Sequence, residues 1–259
     1  MFDAHFHPLD LSPSLQPSSW PGLGAPSLER PWSQLRRWAQ ESGNPYLVGF
    51  HPWQAPYWGQ AANLSLALNS LEEALSWRPA PWGIGEIGLD RSPAHLGSSG
   101  AQLSLFKAQY RLAQRYALPC LFHCVRAYTE LLAALKELWR EAPPAPLHLC
   151  HAFNSSPALA LDLVKRGFYL TLSPRWLDRN GRSEAGVKRL RAWAQVIPAQ
   201  RLLLESDSPW GGDSPLILEE QARLITPYWG IEPAAWPSIQ AQKAAFLGMS
   251  SPSSDKFAN

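Results

Sequence analysis

Short apolar runs alternate with longer segments of helical periodicity along most of this chain, and that alternation leaves few folds open. A strand that pairs with a parallel neighbour needs a crossover of a dozen or more residues, usually a helix. The runs 2–5, 46–51, 82–87, 119–124, 147–152, 168–173 and 201–206 read as strands, being short, apolar and bounded by turn residues. Between them, 102–117 sets Leu103, Phe106, Tyr110, Ala113 and Ala117 on one helical face. Leu131, Leu132, Leu135, Leu138 and Trp139 do the same for the next helix. In 156–167, Ser156 suits the cap, Pro157 the first turn and Gly167 the exit. Ser214-Pro215 repeats the start signal ahead of 216–225.

These runs make seven strands, one fewer than a regular eight-stranded barrel. The deficit is early: 8–34 is rich in Pro and Ser and holds no alternating apolar run. The expectation is a single-domain α/β protein over 1–259, a distorted TIM-type (β/α) barrel with one early strand missing or degenerate. A doubly wound open sheet is the rival. A chain of 259 residues is of a size that one barrel commonly occupies.

Composition removes several classes of function. No apolar run approaches a membrane span, and no basic-apolar-small segment opens the chain, so a cytoplasmic protein without a membrane partner is expected. Three cysteines, Cys120, Cys124 and Cys150, exclude a full disulfide framework and read as small core residues. A formal net charge of +2 supplies no global field for nucleic acid, so such a substrate would have to be held locally. Oligomeric state is not legible.

In parallel α/β proteins the chemistry sits at the carboxyl ends of strands. Read in order, those ends offer His5 and His7, then His51, Glu86, His123, His151 and Asp207. Five of the seven histidines fall in this set, leaving His95 and His148 outside it. Side chains two apart on a strand point the same way, so His5 and His7 can face one site; His148 and His151, three apart, cannot. Imidazoles and carboxylates are the donors a divalent transition metal needs, and Glu86 and Asp207 add enough oxygen for two ions. A water on such an ion is a hydroxide near neutral pH, and a nearby carboxylate can accept its proton.

Six segments in chain order resemble the TatD family of metal-dependent hydrolases, as a divergent branch with a short N-terminal region. They are Phe2-Asp3-Ala4-His5-Phe6-His7, Gly49-Phe50-His51-Pro52-Trp53, Gly83-Ile84-Gly85-Glu86-Ile87-Gly88-Leu89-Asp90, Leu118-Pro119-Cys120-Leu121-Phe122-His123, His151-Ala152-Phe153 and Leu204-Glu205-Ser206-Asp207-Ser208-Pro209. The resemblance covers roughly 1–210. It implies two metal ions, one held by His5, His7, Glu86 and Asp207 and the other by Glu86, His123 and His151. Glu86 would bridge, and Asp207 would be the proton acceptor. The implied activity is metal-dependent deoxyribonuclease, with DNA or another phosphodiester as substrate and Zn, Mn or Mg as the metal. Hydrolysis of an amide, lactone or other ester by the same chemistry is the alternative, as is a metal-binding protein without turnover. Two departures stand out. Ala152 replaces the glycine usual after the His151-type residue. An arginine usually two places after the His123-type residue stands three places on, as Arg126, a candidate substrate contact.

Other residues are weighed individually. His51, before Pro52, is a candidate substrate contact or a loop-shaping residue. Asp90 is placed to orient a ligand histidine. Arg175 opens the basic stretch 175–191 and is the candidate phosphate contact, whereas Lys188–Arg191 read as a solvated helix face. Trp38, Trp77, Trp139 and Trp193, at helical spacings, read as core.

Overall fold

The computed structural model describes residues 1–11, 21–209 and 216–249. Strands and helices alternate in chain order. They are β1 (Asp3–Phe6), β2 (Gly22–Gly24), α1 (Trp32–Ser42), β3 (Leu47–Val48), α2 (Ala55–Trp58), α3 (Ala61–Leu75), β4 (Gly83–Asp90) and α4 (Ser99–Arg115). There follow β5 (Cys120–Val125), α5 (Tyr128–Glu141), β6 (His148–Phe153), α6 (Pro157–Lys165), β7 (Tyr169–Leu172), α7 (Pro174–Asn180), α8 (Glu184–Ala194), β8 (Leu202–Leu203), α9 (Leu216–Trp229) and α10 (Trp236–Phe246). No helix among the described residues is long and apolar enough to cross a membrane.

The described residues form two compact units. One holds those of 1–24, 38–45 and 151–249; the other is 25–37 with 46–150. In the second, β3, β4, β5 and the first half of β6 pair in parallel, with Leu47 opposite Gly83, Gly88 opposite His123 and Leu121 opposite Leu149. Phe50, Ala55, Ala67 and Leu105 form an apolar cluster there, with Trp32 and Trp58 packed on it. In the first unit, β1 pairs with β2 and β7 with β8, again in parallel.

β2 is the early strand that the 8–34 region hides. It is three residues long, Gly22-Leu23-Gly24, and lies so close to its neighbours that side chains are excluded. A Cβ on Gly22 would stand 2.7 Å from the Phe6 ring and 2.8 Å from the Asp3 carbonyl, and one on Gly24 2.5 Å from Trp38. A strand that must be glycine at two of three positions cannot carry an alternating apolar pattern.

Several sequence expectations shift: the runs 46–51 and 201–206 keep only two strand residues each, in β3 and β8. β4 continues to Asp90 rather than ending at 87, so Glu86 lies inside the strand and Asp90 at its end. The extension depends on Gly88, whose φ of 146° and close approach to the His123 carbonyl no side chain would allow. On α4 the buried face is Gln102, Leu105, Phe106, Gln109, Tyr110, Leu112 and Ala113. Leu103 is only half-buried, and Ala117 lies past the helix, exposed at a φ of 49°. The face shifts because two glutamines point inward. α6 starts and ends as expected: the Ser156 side chain accepts from Leu159 N–H, Pro157 is in the first turn, and Gly167 takes a φ of 87°. Ser214-Pro215 lies outside the described residues. Of the four tryptophans read as core, Trp193 is fully buried and the other three are half-buried. All three cysteines are buried thiols outside any disulfide among the described residues.

His148 is a packing histidine. Its Nε2 lies 2.8 Å from the Tyr110 hydroxyl, and Phe122 and Trp139 flank the ring. Burial lowers its pKa from the ordinary 6.5 to about 4. The folded protein therefore holds it neutral over a range in which the unfolded chain protonates it. Its contribution is complete above pH 6.5 and is lost as pH falls to 4, about 3 kcal/mol at ~1.4 kcal/mol per unit. Urea midpoints should decline across that window, and His148→Gln should remove this part of the slope. An unchanged slope would assign it to other groups.

Candidate metal centre

In the first unit, backbone bonds seat β1 beside the stretch after β8. Ala4 N–H donates to Leu204 O (2.9 Å), Asp207 N–H to His5 O (3.0 Å) and His7 N–H to Ser208 O (2.8 Å). This brings the two N-terminal histidines to Asp207, two hundred residues on. Asp207 Oδ1 lies 3.6 Å from His5 Nε2 and 3.8 Å from His7 Nε2. The His5 and His7 rings are 5.0 Å apart, so residues two apart do face one place, and His151 joins them with its ring 4.4 Å from His5. Burial pushes the Asp207 carboxyl up, but the facing His5 imidazole and the charges of His151, His5 and His7 outweigh it and lower its pKa.

The support for this group is buried and comes from residues next to the histidines and Asp207 in the chain. Asp3 Oδ1 accepts from the backbone of Ser206 (2.9 Å) and of His5 (3.1 Å), and Oδ2 accepts from the Ser206 hydroxyl, clamping β1 to the stretch after β8. Burial raises Asp3 to about 7 despite those bonds. Glu205, fully buried, accepts from Ala152 N–H at 2.7 Å and stands 3.7 Å from His151 Nδ1. Two residues here hold left-handed backbone, Asp207 at φ 51° and Ala152 at φ 49°. Each such conformation costs on the order of 1–3 kcal/mol outside glycine, and such strain collects at functional sites. Ala152 is where the family usually has glycine. Its N–H is held by both Glu205 and the Thr171 hydroxyl, which over-determine the turn.

The second unit holds another group. Glu86 Oε2 lies 3.5 Å from His123 Nδ1 and 3.8 Å from His51 Nε2. Asp90 Oδ2 faces His123 Nε2 at 3.3 Å and accepts from the Trp53 indole at 2.7 Å. Burial pushes Asp90 up, but its hydrogen bonds to His123, Trp53 and Ser92 outweigh it, holding the carboxyl ionised and well below the usual range. An ionised carboxylate only accepts, so His123 carries its proton on Nε2 and turns the Nδ1 lone pair toward Glu86. His51 is arranged the other way. Trp53 N–H donates to its Nδ1 at 3.2 Å, so a neutral ring carries its proton on Nε2, the atom facing Glu86. In that tautomer His51 turns an N–H toward Glu86.

Two inward glutamines of α4 hold these residues, and sequence reasoning missed both. Gln109 accepts from Phe50 N–H (2.7 Å) and donates to Phe50 O (3.0 Å), acting as a strand partner for the residue before His51. Gln102 accepts from Asp90 N–H at 2.7 Å. Their spacing of seven on an otherwise apolar face was the available signal.

The donor sets fit a metal. His5, His151 and Asp207 offer ligand atoms within 4.8 Å of one another, as do His51, Glu86 and His123. Their nitrogen–oxygen separations of 3.5–3.6 Å for His123–Glu86 and His5–Asp207 are too long for hydrogen bonds. They match the ~3.4 Å edge of a tetrahedron with bonds of about 2.1 Å. Of the candidate substrate contacts, Arg126 is exposed just past β5 with a φ of 55°, and Arg175 is exposed at the start of α7. Farther along the basic stretch, Arg189 lies over the Trp176 and Trp193 rings and Arg182 pairs with Glu220, as structural arginines do.

Comparison with known proteins agrees with the geometry. The family described as TatD related DNase matches residues 24–242. The 3'-5' ssDNA/RNA exonuclease TatD of Cronobacter turicensis is 33% identical over 182 residues, 70% of this chain and 64% of that protein. That of Cronobacter sakazakii is 33% identical over 201 residues, 78% of this chain and 68% of the relative. The chain thus spans about two thirds of the length of these relatives. Among solved structures, YJJV, a TatD homolog from Escherichia coli k12, superposes with a TM-score of 0.72 at 20% identity, covering 95% of this chain and 97% of that one. The fold is therefore the distorted (β/α)-barrel class of the TatD-like hydrolases, and the chain belongs to the TatD family.

Proposed function

We propose that this protein is a metal-dependent nuclease that hydrolyses phosphodiester bonds of DNA, and of single-stranded nucleic acid generally. The observation that carries the reading is the pair of imidazole–carboxylate groups, with nitrogen–oxygen separations suited to a divalent ion. Relatives at 33% identity named as 3'-5' ssDNA/RNA exonucleases support the substrate. The ligands are His5, His7, His151 and Asp207 in one unit and Glu86 and His123 in the other. Two divalent ions, Zn, Mn or Mg, would supply Lewis-acid polarisation of the phosphate and a water acidic enough to attack at neutral pH.

The chain's own residues do the rest. Asp207, kept ionised by its histidine neighbours, accepts the proton of the attacking water. Asp90 keeps the His123 proton on Nε2 so that Nδ1 stays a ligand. His51 offers its Nε2–H to a phosphate oxygen, and Arg126 and Arg175 supply positive charge to the backbone of the substrate. Three reduced, buried cysteines suit the cytoplasm as the place of action.

Metal analysis of the purified protein, paired with 5'-labelled single-stranded DNA before and after chelation, tests the reading. Stepwise shortening of the oligonucleotide that stops on chelation and returns with added metal is expected. Absence of bound metal would sink the whole site. Metal with hydrolysis of a lactone or amide, and none of DNA, would replace the phosphodiester assignment.

A further inference from the structure

Trp53 is placed oddly for a residue that only fills space. It sits on the turn directly after His51, yet it is 37% exposed. Its indole is fixed in direction, because Nε1 donates at 2.7 Å to the Asp90 oxygen that also faces His123. The His95 ring lies over it, 4.7 Å between centroids and only 14° from parallel. His95 is held in turn, since its N–H donates to Ser92 O (3.0 Å) and its carbonyl accepts from Gln102 Nε2 (2.9 Å). Leu96, the next residue, is 52% exposed. Trp53 also meets the ring of His51 edge-on at 4.7 Å and that of His123 at 5.9 Å. The result is a rigid aromatic stack at the rim of the residues that would bind metal and phosphate.

We propose that the Trp53–His95 stack is a nucleobase platform, receiving one base of the strand beside the phosphodiester that is cut. The proposal rests on the nuclease reading above and adds the base-binding subsite. Every base has a π-face, so stacking holds a strand without reading its sequence. That is what an exonuclease moving through arbitrary sequence requires. The pinned indole adds pre-organisation, because little side-chain freedom is lost when a base arrives.

The test uses metal-loaded protein and single-stranded DNA carrying one abasic residue at each of the last three 3' positions in turn. Wild type, His95→Ala and His95→Phe are compared by kcat/KM, and by oligonucleotide affinity with metal removed. At one position the wild type should favour the base-bearing strand by about tenfold, a typical value for one stacked base. His95→Ala should lose most of that preference and His95→Phe should keep it. Cleavage without any base preference, or a preference that His95→Ala retains, overturns the platform and leaves the nuclease reading standing. If no strand is cut yet affinity depends on the base at one position and on His95, the platform stands and the hydrolytic reading falls. If neither cleavage nor base-dependent affinity is seen, both fall.

Discussion

Asp207→Asn should reduce kcat/KM on a single-stranded oligonucleotide by about a thousandfold or more, in line with the ~10²–10⁴ supplied by a positioned general base. The substitution keeps the side chain's shape and removes its charge. It should be structurally quiet, because Asn is among the few non-glycine residues that accept the left-handed φ of 51° found here. The carboxyl is only 15% exposed and faces two imidazoles, so the lost charge also weakens any ion bound to His5 and His7. Metal content measured beside activity separates the two effects. Full metal with no turnover assigns Asp207 to proton transfer; loss of both assigns it chiefly to metal binding. An active variant with an unchanged melting temperature would remove Asp207 from the chemistry.

Trp193→Ala should cost stability rather than chemistry, about 4 kcal/mol, in the range for truncating a large buried aromatic. Trp193 is fully buried, packs against Phe153 and Trp176, and donates from Nε1 to Ser155 O at 3.0 Å. Its removal opens a cavity and takes a hydrogen bond from the loop that follows β6. At about 2–4 °C per kcal/mol for a chain of this size, the melting temperature should fall by about 8–16 °C. A thermal melt followed by circular dichroism measures it; a shift below a few degrees would mean the pocket collapses around the missing ring.

The candidate donors were legible because they are chemically rare and regularly placed. His5 and His7 two apart on a strand, the Gly-Glu-Ile-Gly-Leu-Asp string and the Glu-Ser-Asp-Ser-Pro segment stand out in one dimension. The supports did not. Gln102 and Gln109 look like ordinary surface residues of a helix until the strand backbones they complete are in place. Trp53 reads as one of thirteen tryptophans until Asp90 is found holding its indole. β2 escaped because its glycines answer to Phe6, Asp3 and Trp38, none of which lies beside it in sequence.

The sequence by itself determined the alternation of strands and helices, the candidate imidazole and carboxylate donors, and the caps of α6. Each of these depends on residue type and local spacing, through backbone geometry and side-chain chemistry. Tertiary structure decided which donors share a neighbourhood and in what protonation. Asp207 reaches His5 through backbone bonds and the Asp3 clamp, which join chain segments two hundred residues apart. His51 and His123 are the same side chain in sequence. Trp53 N–H sets the proton of one on the nitrogen facing Glu86, and Asp90 leaves the other's lone pair facing Glu86, because a neutral imidazole has one proton and its partner chooses the nitrogen.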